Sequence, residues 1–245
     1  MSSAASTESE PALIWLREEP CSRSPGHSRA RIAAAAVELA DEEGFEAVSM
    51  RRVAERLGAG TMTLYHYVAN KDELITLMLD QVMGEILIPV GELPDAWRPA
   101  VEEIAKASLA ALRRHRWMID RLGDGRPGPN SLRHFEQSLQ AMAAVEVDKQ
   151  AKLEAIVLID EYVFGFAIRE AQEASEHARG WAPGVREFLQ RELDSGDYPL
   201  IRDFFGADAD EAEGLVKEVF FKEGRFERGL ERLLDGIETG FARPV

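Results

Sequence analysis

The chain has 245 residues, of which 45% are hydrophobic and 30% charged, and its formal net charge is -15. This balance is typical of a globular protein with one large domain or two smaller ones, and the acidic total disfavours nonspecific binding to nucleic acid. The sequence shows neither an apolar run near the ~20 residues of a membrane span nor a secretory signal. Its single cysteine, Cys21, cannot form an internal disulfide. We therefore expect a cytoplasmic protein with no membrane partner.

The N-terminal region divides into an arm and a first amphipathic helix. Residues 1–26 are rich in Ser, Pro, Glu and Ala, which predicts a flexible arm whose apolar ALIWL segment can dock on the body. The next segment, SRARIAAAAVELADEEGF, has apolar residues at helical spacing, and Gly44 is suited to end the helix. The positions expected to face inward are Ile32, Ala35, Ala36, Leu39 and Ala40.

Two short helices joined by a glycine-containing turn follow between residues 50 and 68. Ser49 is placed to cap the first helix, MRRVAERLG, and Gly58 to end it. Thr61 is predicted to cap the second helix, MTLYHYV, and Asn70 to cap the longer helix KDELITLMLDQVMGEI. This pattern predicts a helix-turn-helix.

The helix-turn-helix is locally basic in an acidic chain. From Ser49 to Lys71 there are four basic side chains and one acidic side chain, a net charge of +3 that leaves -18 for the remainder. The second helix is about two turns long, so its N-terminal residues can enter the major groove of DNA. The candidate contacts to bases and phosphates are Arg51, Arg52, Thr61, Met62, Thr63, Tyr65, His66 and Lys71.

Residues 28 to 83 resemble the DNA-binding domain of the tetracycline-repressor (TetR) family. The matching features are the entry helix that ends at Gly44, the helix SMRRVAERLG, the recognition helix LYHYV and the start NKDEL of the next helix. The LIW segment and the closing FERGLERLLDGIE resemble a subset whose C-terminal domain is like that of the tetracycline repressor itself. The resemblance adds Tyr67 to the DNA-facing positions. Many relatives begin the recognition helix with Ser or Pro, whereas this one begins GTMT, so the half-site sequence is not carried over.

The resemblance implies an all-α homodimer with an N-terminal three-helix DNA-binding domain and a C-terminal helical ligand-binding and dimerisation domain. We expect residues 1–26 to form the arm, 27–72 the DNA-binding domain and 73–245 the second domain. A ligand would move the fourth helix and change the separation of the recognition helices, which must span ~34–36 Å of DNA. The implied partners are a double-stranded DNA operator, a small-molecule effector and a second copy of the chain.

Every later segment is also predicted to be helical, and the longest helix covers about residues 148–178. It has apolar residues on two sides, so one side can face a core or pocket and the other a dimer seam, with a wholly intrachain core as the alternative. Gly165 within it costs roughly 1 kcal/mol relative to alanine, so we expect a close helix approach there. The stripes on this helix are Leu153, Ile156, Val157, Phe164 and Ile168 on one side and Leu158, Tyr162 and Phe166 on the other. The stripe expected on the last helix is Phe226, Leu230, Leu233, Leu234 and Ile237.

The effector pocket is expected among the middle helices, because ligand sites are mostly apolar with a few placed polar groups. For each candidate, a place in the plain core or on the surface is the alternative. The family suggests a small, often hydrophobic effector, and the acidic charge favours a neutral or cationic one. The candidates are Trp117, His134, Phe135, Leu139, Met142, Glu161, Tyr162, Phe166 and Arg169.

Sequence signatures of an enzyme are missing. The five histidines form no H-E-x-x-H pair, and there is no G-x-S-x-G elbow, phosphate-binding glycine loop or cysteine pair. We therefore expect no catalytic residue, no cofactor and no metal, with His134 as the candidate if magnesium were bound together with a ligand. The sequence favours a ligand-released repressor. The alternative is a helical small-molecule- or partner-binding protein that does not bind a specific operator.

Overall fold

The computed structural model describes residues 13–20, 27–121, 126–176 and 181–241, and every regular element in these ranges is a helix, as predicted. The chain divides into an N-terminal unit, Met1–Val145, and a C-terminal unit, Glu146–Val245. Within the described ranges, none of the helices is long and apolar enough to cross a membrane. The α-helices of the N-terminal unit are α1 (Arg29–Glu43), α2 (Met50–Arg56), α3 (Thr61–Tyr67), α4 (Lys71–Ile86), α5 (Trp97–Arg114) and α6 (Pro129–Ala141). Those of the C-terminal unit are α7 (Lys149–Glu176), α8 (Pro183–Ser195), α9 (Pro199–Phe205), α10 (Ala209–Phe221) and α11 (Arg225–Phe241).

Helices α1, α2 and α3 form a three-helix head. The inward-facing positions predicted on α1 are all buried. Side-chain caps fix where the neighbouring helices begin: the Ser49 hydroxyl accepts the Arg52 N–H at 3.3 Å, and the Asn70 Oδ1 accepts the Glu73 N–H at 2.9 Å. Both predicted caps are confirmed, and each satisfies an N–H group that has no partner within its helix.

The turn after α2 depends on Gly58. This residue has φ +64°, and its N–H donates to the Glu55 carbonyl at 3.1 Å. The N–H of Ala59 donates to the Ala54 carbonyl at 2.9 Å. These two bonds close the helix as a Schellman motif, which requires the left-handed conformation that glycine adopts readily. The predicted helix end at Gly58 is confirmed.

The predicted cap of α3 is wrong. Gly60, in an extended conformation, occupies the N-cap position without a capping side chain, and Thr61 is the first helical residue. A residue with helical backbone angles cannot cap its own helix, because the cap must leave the helical conformation. The Thr61 hydroxyl is therefore not used as a cap.

Part of the predicted arm packs on the head. Ile14 is buried, and the Arg29 guanidinium donates to the carbonyls of Ile14 at 3.0 Å and of Arg17 at 2.8 Å. Burial, followed by the charge of Arg17, lowers the pKa of Arg29. Arg17 itself pairs with Glu73 of α4 at 2.7 Å. The apolar segment is thus docked as expected, whereas Cys21 lies outside the described residues.

Helix α4 connects the head to the rest of the N-terminal unit by packing against α1, α5 and α6. The buried carboxylate of Asp80 accepts the backbone N–H groups of Asn130 at 2.9 Å and Ser131 at 3.1 Å, at the start of α6. Farther along, the Gln137 side chain bonds both the N–H and the carbonyl of Ile88. Helix α6 is therefore tied to α4 and to the segment that follows it.

In the C-terminal unit, α7 pairs with α11, and α8, α9 and α10 pack together. The buried Glu213 of α10 accepts from Lys217 at 2.5 Å, from Arg186 of α8 and from the Trp181 N–H at 3.1 Å. The Lys217 hydrogen bond, aided by those of Arg186 and Trp181, lowers the pKa of Glu213 to about 2. One carboxylate thereby fixes the start of α8 on α10.

Helix α7 buries one side within the single subunit, and of the two predicted stripes only Ile156 is buried there. Alanines occupy part of this buried side. The apolar residues that remain exposed stay predicted for the dimer seam. Large apolar residues are left exposed in the single subunit. The buried residues are Ala155, Ile156, Ile159, Val163 and Ala167, whereas Leu153, Val157, Leu158 and Ile168 are 38–47% exposed.

Within the single subunit no described helix approaches Gly165 closely, because a Cβ added there would meet no atom within 4 Å. A close approach occurs at Gly229 of α11, where a Cβ would collide with the Tyr162 hydroxyl. That hydroxyl donates to the Phe226 carbonyl at 2.9 Å, so the glycine allows α7 and α11 to share a hydrogen bond.

Candidate nucleic-acid interface

Helix α3 presents four predicted DNA contacts on its outer side. Met62 is 81% exposed and Tyr65 is 45% exposed, with Thr63 and His66 exposed beside them. Leu64 is fully buried and anchors the helix in the head. Because the four exposed side chains lie on one short helix, they can enter a major groove together. Thr61, at the start of the same helix, is partly exposed.

Tyr67, added by the family resemblance, does not join this surface. It is 5% exposed, and its carbonyl accepts from the guanidinium groups of Arg29 and Arg17, each at 3.3 Å. The residue lies at the end of α3, where the chain turns back toward the head. The exposed surface of α3 therefore does not include the Tyr67 ring, and a contact of this residue with DNA stays a prediction.

The basic side chains of α2 differ in their freedom to meet DNA. Arg52 forms two hydrogen bonds, at 2.6 and 2.7 Å, to the Glu43 carboxylate of α1. Arg56 pairs with Glu42, and the hydrogen bond from Glu42 raises the pKa of Arg56. Arg51, in contrast, is 76% exposed at its side chain and has only a 3.4 Å contact with Glu55. The local charge of +3 is thus partly neutralised by α1, which the local sequence count omitted.

Lys71 extends the exposed basic surface to the start of α4. Its ammonium lies 5.2 Å from the centroid of the Phe45 ring, a cation–π contact that leaves the side chain exposed. Helix α4 also has free N–H groups in its first turn, so a phosphate there would meet both a charge and backbone donors.

Two grooves lie between α7 and α11 in the C-terminal unit. One is a cavity of about 620 Å³ whose lining includes Leu158, Leu233 and Gly236. The other has about 630 Å³ and gathers four predicted effector contacts with several basic side chains. Desolvation raises the pKa of the Tyr162 hydroxyl there. The residues of the second groove include Glu161, Tyr162, Phe166, Arg169, Lys222 and Arg225.

The other five predicted effector contacts belong to the N-terminal unit. Trp117 and Met142 are buried, and Phe135 and Leu139 are about 40% exposed. The Nδ1 of His134 is buried without a hydrogen-bond partner, and burial lowers the pKa of this imidazole. Among the described residues, no group of three or more His, Cys, Asp or Glu side chains is placed to hold a metal ion.

A cluster around His115 was not predictable from the sequence. The His115 ring, at the C-terminal end of α5, contacts Asp41 of α1 and Glu85 of α4. Asp41 is 74 positions and Glu85 is 30 positions from the histidine along the chain, so no local sequence pattern connects the three residues. Trp117 was predicted as a pocket residue, and its indole N–H donates to Asp41 at 2.8 Å.

A three-helix head that exposes a short helix beside basic side chains, followed by a larger helical region, defines a helix-turn-helix transcriptional regulator. The family described as "Bacterial regulatory proteins, tetR family" matches residues 32–78, and "Tetracyclin repressor-like, C-terminal domain" matches residues 90–241. The chain belongs to the TetR family.

Similar proteins cover nearly the whole chain. The transcriptional repressor DrrR1 of Streptomyces coeruleorubidus is 36% identical over 93% of this chain and 84% of its own length. A transcriptional regulator of Saccharopolyspora erythraea is 32% identical over 96% of this chain and 95% of its own. The structure of Streptomyces coelicolor ActR in complex with actinorhodin has a TM-score of 0.69 at 25% identity, covering 89% of this chain and 98% of that one. The chain is a ligand-responsive, DNA-binding repressor that acts as a homodimer on operator DNA.

Proposed function

We propose that the repressor binds a palindromic operator by placing the α3 helices of two subunits in successive major grooves. The observation that supports this most directly is the exposure of Met62, Thr63, Tyr65 and His66 on one side of a buried, capped head. Two such helices must be separated by ~34–36 Å to meet half-sites one helical turn apart. Occupation of the operator would block transcription.

The roles of the DNA contacts divide by position. Thr61, Met62 and Thr63 are assigned to base edges, since N-terminal residues of a recognition helix enter the groove first. Tyr65 and His66, with Arg51 and Lys71, are assigned to the phosphate backbone. Arg52 is a candidate contact that would have to exchange its Glu43 partner for a phosphate.

The experiment is selection of binding sites from a random DNA pool with the full-length protein at physiological salt. Recovery of a palindrome with half-sites about one or one and a half turns apart supports the proposal. A folded dimer that enriches no sequence, with and without metabolite extract, would instead favour a helical ligand-binding protein without an operator.

We infer that the second subunit packs against the exposed apolar side of α7 and the neighbouring groove of α11. Leu153, Val157 and Leu158 are 44–47% exposed in the single subunit, and Gly236 and Gly240 leave open space along α11. Buried apolar area of this kind is what a stable homodimer interface requires. A Leu158→Glu variant should shift the protein to monomer in analytical ultracentrifugation, whereas Leu200→Glu on exposed α9 should not.

The effector is proposed to bind in the groove lined by Glu161, Tyr162, Phe166 and Arg169, with the five candidates of the N-terminal unit kept as a separate prediction. Because ActR is bound to actinorhodin in a similar structure, actinorhodin is the first probe to add to the protein–operator complex. Actinorhodin that releases the parent protein from the operator, but not the Tyr162→Leu variant, would support this groove. Release that is unchanged in Tyr162→Leu would favour the N-terminal set.

The functional division is proposed as an arm at 1–26, a DNA-binding domain at 27–72 and a ligand-binding and dimerisation domain at 73–245. We further propose that the protein works in the cytoplasm, where its operator lies, and that it has no catalytic activity. Membership of a regulator family supports both statements.

A further inference from the structure

The His115 ring joins three helices of the N-terminal unit at one point. His115 is the residue that directly follows α5, and its side chain is 3% exposed. Nδ1 lies 2.9 Å from both carboxylate oxygens of Asp41 on α1, and Nε2 lies 3.1 Å from Glu85 on α4. One ring therefore fixes the end of α5 to the head and to the fourth helix.

The ring lies between two carboxylates. Each nitrogen of His115 has a carboxylate within hydrogen-bond distance, Asp41 at Nδ1 and Glu85 at Nε2. Arg114 adds a 2.7 Å ion pair to the same Glu85 carboxylate. The Glu85 carboxylate therefore contacts both Arg114 and the His115 ring. The ring is the buried member of this set, and removing it takes away the contacts that join the end of α5 to α1 and α4.

A second anchor follows two residues later. The Trp117 indole N–H donates to Asp41 at 2.8 Å, and its ring stacks on Phe45 with centroids 5.9 Å apart and an interplanar angle of 21°. The Arg121 guanidinium also contacts Phe45 and lies 4.3 Å from the centroid of its ring. Phe45 follows Gly44, the C-cap residue of α1, so the segment after α5 contacts both the last turn of that helix and the residue beyond its cap.

The cluster extends to the DNA-facing surface. Phe45 is also the ring beneath the Lys71 ammonium, at 5.2 Å. Lys71 begins α4, the helix that holds Glu85 at its other end. The same set of contacts therefore touches both ends of α4 and the last turn of α1.

We propose that His115 and Trp117 are positioning residues that set the orientation of the DNA-binding head on α4 and α5. They act through Asp41, Phe45 and Glu85 on the spacing of the two α3 helices. A repressor reads spacing as well as sequence, because one added base pair rotates one half-site by ~35° and moves it by ~3.4 Å. One of the two tests of this inference rests on the proposed operator binding, whereas the other needs no DNA.

The DNA-independent test measures the distance between the two heads. A spin label is placed at Met62→Cys in a Cys21→Ser background, and the intersubunit distance distribution is recorded for the full-length dimer. The His115→Asn variant is designed to keep a hydrogen bond to Asp41 and to remove the contact with Glu85. The Trp117→Phe variant keeps an aromatic ring against Phe45 and removes the hydrogen bond from the indole N–H to Asp41. We expect each distribution to broaden about twofold relative to the parent. Distributions as narrow as the parent in both variants overturn the proposal.

The second test uses the operator recovered by selection and versions with one base pair added or removed between the half-sites. The parent is expected to prefer the correct spacing by about tenfold or more, and His115→Asn and Trp117→Phe to reduce that preference to about threefold. Leu109→Val, at a buried position of α5, serves as the control that lowers Tm to a comparable extent. Lys106→Gln, at an exposed position of the same helix, serves as the control that leaves Tm unchanged. An equal loss of preference in Leu109→Val would show a plain stability effect and overturn the proposal. If the parent enriches no operator, the repressor proposal fails while the distance measurement still decides the positioning role.

Discussion

Individual side chains of the head divide into those that meet DNA and those that hold the helices. Arg51 and Arg52 are neighbours in sequence, but only Arg52 has its guanidinium bonded twice to Glu43. Exposed Arg51 can neutralise a phosphate, and each such contact contributes about one unit to the salt slope of DNA binding. We expect Arg51→Gln to reduce that slope by about one and Arg52→Gln to lower Tm with a smaller change in slope. Fluorescence anisotropy at several salt concentrations, with thermal unfolding, measures both; identical slopes in the two variants would contradict the assignment.

Met62 and Lys71 test the division between base and phosphate contacts. Met62→Ala should change which base is preferred at one operator position, at a cost of about 1–3 kcal/mol for the preferred site. Lys71→Ala should weaken binding to all sequences to a similar extent and make the salt dependence shallower. Repeating the site selection with each variant measures this. A uniform loss on every sequence for Met62→Ala would place that residue on the backbone instead.

Asp160 predicts a pH dependence of stability. Burial raises the pKa of this α7 carboxyl to about 6, above its usual value of 3.8. The folded state therefore binds a proton at Asp160 more tightly than the unfolded state. The free energy of unfolding that this proton contributes is fully present below pH 4 and is lost as the pH rises through 6. The difference corresponds to roughly 3 kcal/mol as an upper figure. Asp160→Asn should stabilise the protein at pH 7.5 and have little effect at pH 4. Urea unfolding at the two pH values measures this, and an equal effect at both would argue against burial as the cause.

The turn between α2 and α3 depends on one backbone conformation. A Cβ at Gly58 would meet no atom within 4 Å, so its φ of +64° is the only obstacle to a larger residue. Gly58→Ala should therefore destabilise the head by about 1 kcal/mol. Gly214→Ala, in the open middle of α10, should stabilise by a similar amount. Thermal unfolding compares them, and a stabilised Gly58→Ala would mean that the turn adopts another conformation.

The same elements show how far sequence alone leads. Helix periodicity and caps are local, so the helices, the Ser49 and Asn70 caps and the exposed face of α3 were predictable. The buried face of α7 was not, because alanines such as Ala155 and Ala167 occupy it. The close approach at Gly229 depends on a side chain of another helix, as do the Asp41 and Glu85 contacts of His115. Interactions between distant segments leave no local pattern in one sequence.

Most charged residues of the chain lie outside the DNA-binding surface. The chain has a net charge of -15, whereas exposed Arg51 and Lys71 lie beside α3. The acidic remainder of the chain therefore repels DNA, whereas the basic side chains beside α3 attract it. The internal pairing of Arg52 and Arg56 with α1 makes that attraction weaker than the local sequence suggests.

That pairing has a consequence for how the repressor is distributed in a cell. Binding to random chromosomal DNA depends almost wholly on released counterions, and a head that satisfies its own arginines releases few of them. The competing sites number about 10⁶ or more in a genome, so weak occupancy of each one keeps a large share of the copies free. A small number of molecules can then hold an operator, and a modest amount of effector is enough to empty it.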